Sequence, residues 1–210
     1  MKTDGTDARL SGMSNAPDDE AFLLSPLLAR LRILYTESHR HYHTVAHVEA
    51  LLAHLRRYAH LVQDLKAVAA AIWFHDAIYD THRDDNEERS AMLAQEELES
   101  AGWAPLLVKQ VAHMVRATRH HRADAADTDT LLFLDFDLSI LGSSPESYSA
   151  YCAAIRAEFS WVNDEAYAEG RSRALQTFLQ RDKIYRTSLL WDAWEASARV
   201  NMLRELAALA

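Results

Sequence analysis

Ala69-Ala70-Ala71-Ile72-Trp73-Phe74-His75-Asp76 is the stretch on which the reading of this chain turns. Six apolar residues run without a break into a histidine and an aspartate. The pattern around them predicts a helix over about 64–79, with Val68, Ile72 and Trp73 among its buried side chains. Ending an apolar helix on an adjacent His-Asp pair costs desolvation energy unless something compensates. A divalent cation would do so, because it takes neutral imidazole nitrogens and ionised carboxylate oxygens together. The ordinary alternative is a hydrogen-bonded core histidine. Further acids at Asp80, Asp84, Asp85 and Glu87 weigh toward the cation.

Helical signals continue on both sides of this stretch. Ser25-Pro26 reads as an N-cap with proline in the first turn, followed by the stripe Leu27, Leu28, Leu31 and Leu34. A second helix is predicted over about 44–60, with His47 near its start and Val48, Leu51, Leu52 and Leu55 inward. Asp85 and Glu88 have capping-box spacing for a fourth helix that should stop at Gly102. Pro105 opens a fifth, carrying Val108, Val111 and Val115. Leu131, Leu134, Leu138 and Leu141 mark a sixth that ends at Gly142. Ser144-Pro145 begins a seventh, with Tyr148, Tyr151, Cys152, Ile155 and Phe159. Two or three more helices reach Ala210, and the Trp191/Trp194 pair reads as core. With no internal repeat and no long linker, the economical organisation is one helical domain over 21–210 behind a loose polar tail over 1–20.

Composition agrees with that reading. The 210 residues are 49% hydrophobic and 25% charged, enough to bury a sizeable core. Only five glycines and four prolines leave few tight turns for a β-sandwich or barrel. A net charge of −9, with no basic run, argues against nucleic acid as a partner. Cys152 stands alone, so neither an internal disulfide nor a cysteine zinc site is expected. No apolar signal region and no eighteen-residue apolar run is present, so a cytoplasmic protein without membrane association is expected.

His47, then His75-Asp76, then Asp137 resembles the H…HD…D signature of the HD-domain metal-dependent phosphohydrolases. Whole blocks extend the resemblance. The segments from Tyr42 to Val48, Trp73 to Asp80, Asp85 to Ala91 and Phe133 to Gly142, with the later Ile155-Arg156 and Ile184-Tyr185 pairs, are similar to an uncharacterised bacterial subgroup of that superfamily. The resemblance covers nearly everything from about Leu27 to Leu206.

It implies an all-α, HD-type helical bundle whose metal is held by His47, His75, Asp76 and Asp137. Two nitrogens and two carboxylates leave one or two positions open, which suits Mn²⁺, Mg²⁺, Fe²⁺, Co²⁺ or Ni²⁺ better than closed structural zinc. Asp135 and Asp137 lie about 200° apart on a helix, and both flank the leucine stripe, so periodicity does not choose between them. The family pattern chooses Asp137. The catalytic acid/base role falls to Asp80, one turn after Asp76 on the expected helix, or to Glu87; both also fit ordinary helix-end roles. Related enzymes often carry Glu-Asp after the HD pair, and Tyr79 stands here in place of the Glu. Substrate contacts are expected from His43, Thr118, His121 and Arg156, with Arg171 and Lys183 as further phosphate candidates. The implied reaction is hydrolysis of a phosphate ester or anhydride in a small metabolite, with a nucleotide favoured. Two readings compete: a di-iron oxygenase on the same fold, with His43 and His121 as spare ligands, and a catalytically silent binding module.

Overall fold

The computed structural model describes residues 25–210, so the tail over 1–20 lies outside the described residues. Among the described residues nine α-helices follow in order: α1 (Ser25–Leu34), α2 (Val45–Arg57), α3 (Leu65–Phe74), α4 (Asn86–Ser100), α5 (Pro105–Ala117), α6 (Thr128–Asp137), α7 (Pro145–Glu158), α8 (Asp164–Leu179) and α9 (Ser188–Leu209). Short 3-10 turns occupy Ala59–Leu61 and Leu138–Gly142, and the described residues contain no strand. The class is all-α. No helix among them is long and apolar enough to cross a membrane.

α3 is the central element, packed against α2, α4, α5 and α6. Every side chain from Ala67 to Phe74 is buried, because neighbours cover it on all faces. Its start is fixed by Asp64, whose carboxylate accepts from the Ala67 amide at 2.9 Å. Trp73 is one of the largest fully buried side chains, and its truncation to alanine would cost roughly 3–5 kcal/mol.

The helix ends at Phe74, five residues before the expected boundary, and this correction matters for the site. The reason is tertiary. The buried Arg40 guanidinium donates to the carbonyls of Asp76 (2.8 Å), Ala77 (3.1 Å) and His43 (3.1 Å). Ser90 Oγ on α4 accepts from the Ile78 amide at 3.0 Å. The chain therefore leaves the helix with its polar groups satisfied, and His75-Asp76 occupy the turn.

Other expectations shift in smaller ways. α4 starts where foreseen, but Asp85 and Glu88 form no capping box: Asp85 takes the Arg83 guanidinium, and Glu88 takes that of Arg116. Gly102 supplies the stop with φ +74°, a conformation that favours glycine. The predicted sixth helix is α-helical only to Asp137 and tightens into the 3-10 turn beyond it. Trp191 is not core; it is 36% exposed, with the Lys183 ammonium over its ring at 4.9 Å.

The 3-10 turn after α6 is clamped onto α9. A β-carbon on Gly142 would lie 2.6 Å from Trp194 Cβ, so only glycine permits this approach. Asn201 Nδ2 donates to the carbonyls of Leu141 and Ser143 at 2.9 Å each, and Tyr185 Oη donates to that of Leu138 at 3.0 Å.

Candidate metal centre

Three elements deliver the central cluster. His47 sits in the first turn of α2, His75 at the C-terminal cap of α3, and Asp137 at the last position of α6. Donor atoms of these three lie within 4.8 Å of one another, although 90 residues separate the first from the last, and they could hold a metal ion. His47 Nε2 stands 3.2 Å from His75 Nε2 and 3.2 Å from Asp137 Oδ1, which is 3.6 Å from His75 Nε2. Asp76 borders the trio: its Oδ2 is 3.0 Å from His75 Nε2 and 3.9 Å from His47 Nε2.

These spacings and donors fit a cation. Ligands bound at about 2.1 Å in an octahedron stand about 3 Å from their neighbours. His75 Nδ1 donates to the Ile72 carbonyl at 2.9 Å, which leaves the Nε2 lone pair of a neutral ring facing the cluster. Two Nε2 atoms facing each other at 3.2 Å cannot both carry protons without repulsion. One positive ion at the centre would resolve the conflict for all the groups at once.

Electrostatics follow from the same crowding. Burial holds the His47 imidazole below its ordinary value. Burial also opposes a charged His75, but the carboxylates of Asp76 and Asp137 outweigh it and carry that pKa up. For Asp76, burial works against ionisation and the His75 and His43 imidazoles overcome it. Asp137 is held well below the carboxylate range because His121, His47 and His75 together outweigh its burial.

Asp135 is buried and turned away from the cluster. It accepts from the amides of Arg186 and Thr187 (2.8 Å each) and from Thr187 Oγ1 (2.6 Å), so it ties down the chain entering α9. The geometry therefore places Asp137, not its neighbour, beside the two histidines.

Two of the expected substrate residues border the cluster. His121 Nε2 is 2.9 Å from Asp137 Oδ2. Its backbone takes φ +47°, the left-handed region that non-glycine residues avoid, and Arg181 grips the carbonyls of His120 (2.9 Å) and His121 (3.2 Å). His43 Nε2 lies 3.9 Å from Asp76 Oδ2, while its Nδ1 is 2.8 Å from Glu158 Oε2. Burial disfavours a charged His43, but Asp76 and Glu158 outweigh it and raise its pKa.

The other expected residues lie elsewhere. With α3 ended at Phe74, Asp80 is not one helical turn beyond Asp76. It is a half-buried loop residue whose carboxylate accepts from the His82 amide at 2.9 Å and lies 3.1 Å from its ring Nδ1. Glu87 stands in the first turn of α4, half-buried, with no hydrogen bond or ion pair to the described residues. Thr118 is buried, its hydroxyl committed to the Val115 carbonyl (2.7 Å) where α5 closes. Arg156 donates to the carbonyls of Phe159 and Val162 and to Asp164, holding the α7–α8 corner. Lys183 covers Trp191. Arg171 reaches the site region, but Glu205 holds its guanidinium at 2.7 and 3.1 Å.

Two residues escaped the sequence reading. Glu158 is the buried hub behind His43. Besides that ring, it accepts from the amides of His41, Tyr42 and His43 (2.8, 2.7 and 2.9 Å) and from Tyr79 Oη (2.7 Å). Burial opposes its charge, yet His43 and these donors bring its pKa down to about 2. Arg40 is the second, through its grip on the turn that carries Asp76. Neither has a local signature, since an isolated charge on a helix or loop looks the same when it faces solvent.

Next to the cluster lies a chamber of about 150 Å³, walled by Tyr42, His43, His121, Asp137, Tyr151 and Arg171 among others. Such a space accepts a phosphate-sized group beside the cluster. No protein-family model, curated protein or solved structure matches the chain.

Proposed function

We propose that the chain is a metal-dependent phosphohydrolase, cleaving a phosphate ester or anhydride of a small phosphorylated metabolite, with a nucleotide the favoured class. The observation that carries this is the convergence of His47, His75 and Asp137, bordered by Asp76, beside a chamber that Asp137 lines together with His43 and His121. His47, His75 and Asp137 would hold the ion, with Asp76 as the fourth ligand. When bound, a divalent cation supplies charge stabilisation to phosphoryl oxygens and acidifies water.

The chain's own residues account for the remaining needs of such a reaction. Glu158 accepts from His43 Nδ1 and so fixes the orientation of a ring that lines the chamber; in the charged ring, which Asp76 and Glu158 favour against its burial, Nε2 carries a proton as well. Protonated, it is placed to donate to the departing oxygen as general acid. This pair takes the role first expected of Asp80 or Glu87. His121 holds Asp137 Oδ2 and so sets which carboxylate oxygen faces the cation.

The test is a hydrolysis screen of the purified chain with Mn²⁺, Mg²⁺, Fe²⁺, Co²⁺ or Ni²⁺ across nucleoside mono-, di- and triphosphates and simple phosphate esters. Metal content should be measured on the same protein. One bound ion with metal-dependent phosphate release is expected. Two irons would favour the oxygenase reading, and no metal with no turnover would favour the silent module.

A further inference from the structure

Beside the chamber lies a larger groove of about 750 Å³, between the C-terminal end of α5 and the face of α8. The two spaces share His121, Ala174 and Phe178 as a common wall. Arg116, Arg119, Arg122 and Arg181 line the groove together with His120, and no carboxylate does. In a chain of net charge −9, such a collection of like charges is not a consequence of composition.

Ordinary structural roles explain only part of it. Arg116 donates to Glu88 at 2.7 and 2.8 Å and to Gln95 at 3.0 Å. Arg181 stacks on Phe178 at 4.5 Å and holds the two histidine carbonyls, yet its buried Nε has no hydrogen-bond partner. The side chains of Arg119 and Arg122 are exposed and make no hydrogen bond or ion pair with the described residues. Glu88, which feels the charge of Arg119, is already held by Arg116. A helix C-terminus favours nearby cations, but that effect is small and needs no groove. Burial, then the charges of Arg122 and Arg186, lower the Arg181 pKa, which is what crowded cations without a counter-ion do.

We propose that this groove binds a chain of phosphate groups, so that the substrate of the adjoining centre carries two or more linked phosphates rather than a single one. Guanidinium forks pair with phosphate oxygens two at a time, and the exposed Arg119 and Arg122 supply unpaired donors for them. One phosphate fits the small chamber, and the rest of the chain would lie across the groove past His121. The choice of substrate rests on the hydrolase reading, whereas binding of the phosphate chain does not.

The experiment is calorimetric titration of the full-length protein with tripolyphosphate, orthophosphate and adenosine triphosphate, with phosphate release assayed in the same samples. Tripolyphosphate should bind at least about tenfold more tightly than orthophosphate, and the affinity should fall as salt rises. The double variant Arg119→Ala/Arg122→Ala should lose about tenfold or more of that affinity without a change in melting temperature. Its counterpart Arg119→Lys/Arg122→Lys should recover most of the loss, since charge returns even though the fork does not. Adenosine triphosphate binding as tightly as tripolyphosphate would assign recognition to the phosphates alone; tighter binding that still depends on both arginines would add a nucleoside contact. Equal binding of tripolyphosphate and orthophosphate, or a double-alanine variant that binds as wild type, would overturn the groove. Arginine-dependent binding without phosphate release under any divalent ion would sink the hydrolase reading and leave the groove standing.

Discussion

Six buried or half-buried acids among the described residues, Asp76, Asp129, Asp135, Asp137, Glu158 and Glu195, are separated by their partners into two groups. Asp129 accepts from the amides of Gln63 and Asp64 at 2.8 Å each, Glu195 from those of Ile184 and Tyr185, and Asp135 from those of Arg186 and Thr187. In each case a carboxylate reaches across from one helix and takes the orphan N–H groups of a loop before or beside another. The acceptor oxygens are met by backbone N–H groups that do not titrate, joined at Glu195 by the Arg199 guanidinium. Asp76 and Asp137 have side-chain partners of a different kind, the imidazoles of His47, His75 and His121. The first arrangement is complete as it stands. The second has donors and lone pairs facing one another and could hold a cation. Glu158 belongs to both groups, with three loop amides on one side and His43 on the other.

The largest effect should come from the second group. Asp76→Ala is expected to abolish metal binding and activity, because it removes the carboxylate that borders His47 and His75. Full metal content with wild-type turnover in that variant would show that Asp76 is no ligand.

Glu158→Gln tests the hybrid. It should lower kcat by roughly 10²-fold or more, because a positioned acid typically contributes 10²–10⁴-fold, and leave metal content intact. It should also change acid stability in a defined direction. The Glu158 pKa is depressed to about 2 from an ordinary 4.5, so its contribution is complete above 4.5 and is lost as pH falls toward 2. Acid melts of wild type and variant should therefore converge across that window. Parallel melts would mean that the buried hub is not ionised.

Asp135→Ala probes the first group and should do the opposite of Asp76→Ala. Leaving the Arg186 and Thr187 amides without an acceptor should cost about 2–4 kcal/mol in denaturant melts, with the metal retained. The smallest effect belongs to Asp80→Asn. An exposed carboxylate held only by His82 should leave kcat and metal content as they are, and a tenfold drop in kcat would return Asp80 to the reaction.

The legibility of this molecule followed the range of the interactions involved. The helical class and most of the apolar faces were readable, since Leu51, Val111 or Leu134 announce themselves by spacing within one helix. His47, His75 and Asp137 were readable because their residue types in that order are distinctive, and the choice of Asp137 over Asp135 came from the resemblance, not from periodicity. The end of α3 was not readable, because Arg40 causes it from 36 residues away. The same holds for Glu158, whose partners at 41–43 lie more than a hundred residues earlier. Arg156, two residues before Glu158 and within the segment that drew attention, turned out to brace a corner.

Gly142 gives this architecture a control point far from any chemistry. Asp137 continues directly into the 3-10 turn that Gly142 ends, and that turn lies against the backbone of α9 at Trp194 with no room for a methyl group. Any side chain at position 142 must push α9 outward or rotate the turn, and either movement is transmitted to the carboxylate five residues upstream. Substitutions along α9 would therefore reach the Asp137 carboxylate from positions that a search confined to the cluster residues would leave untouched.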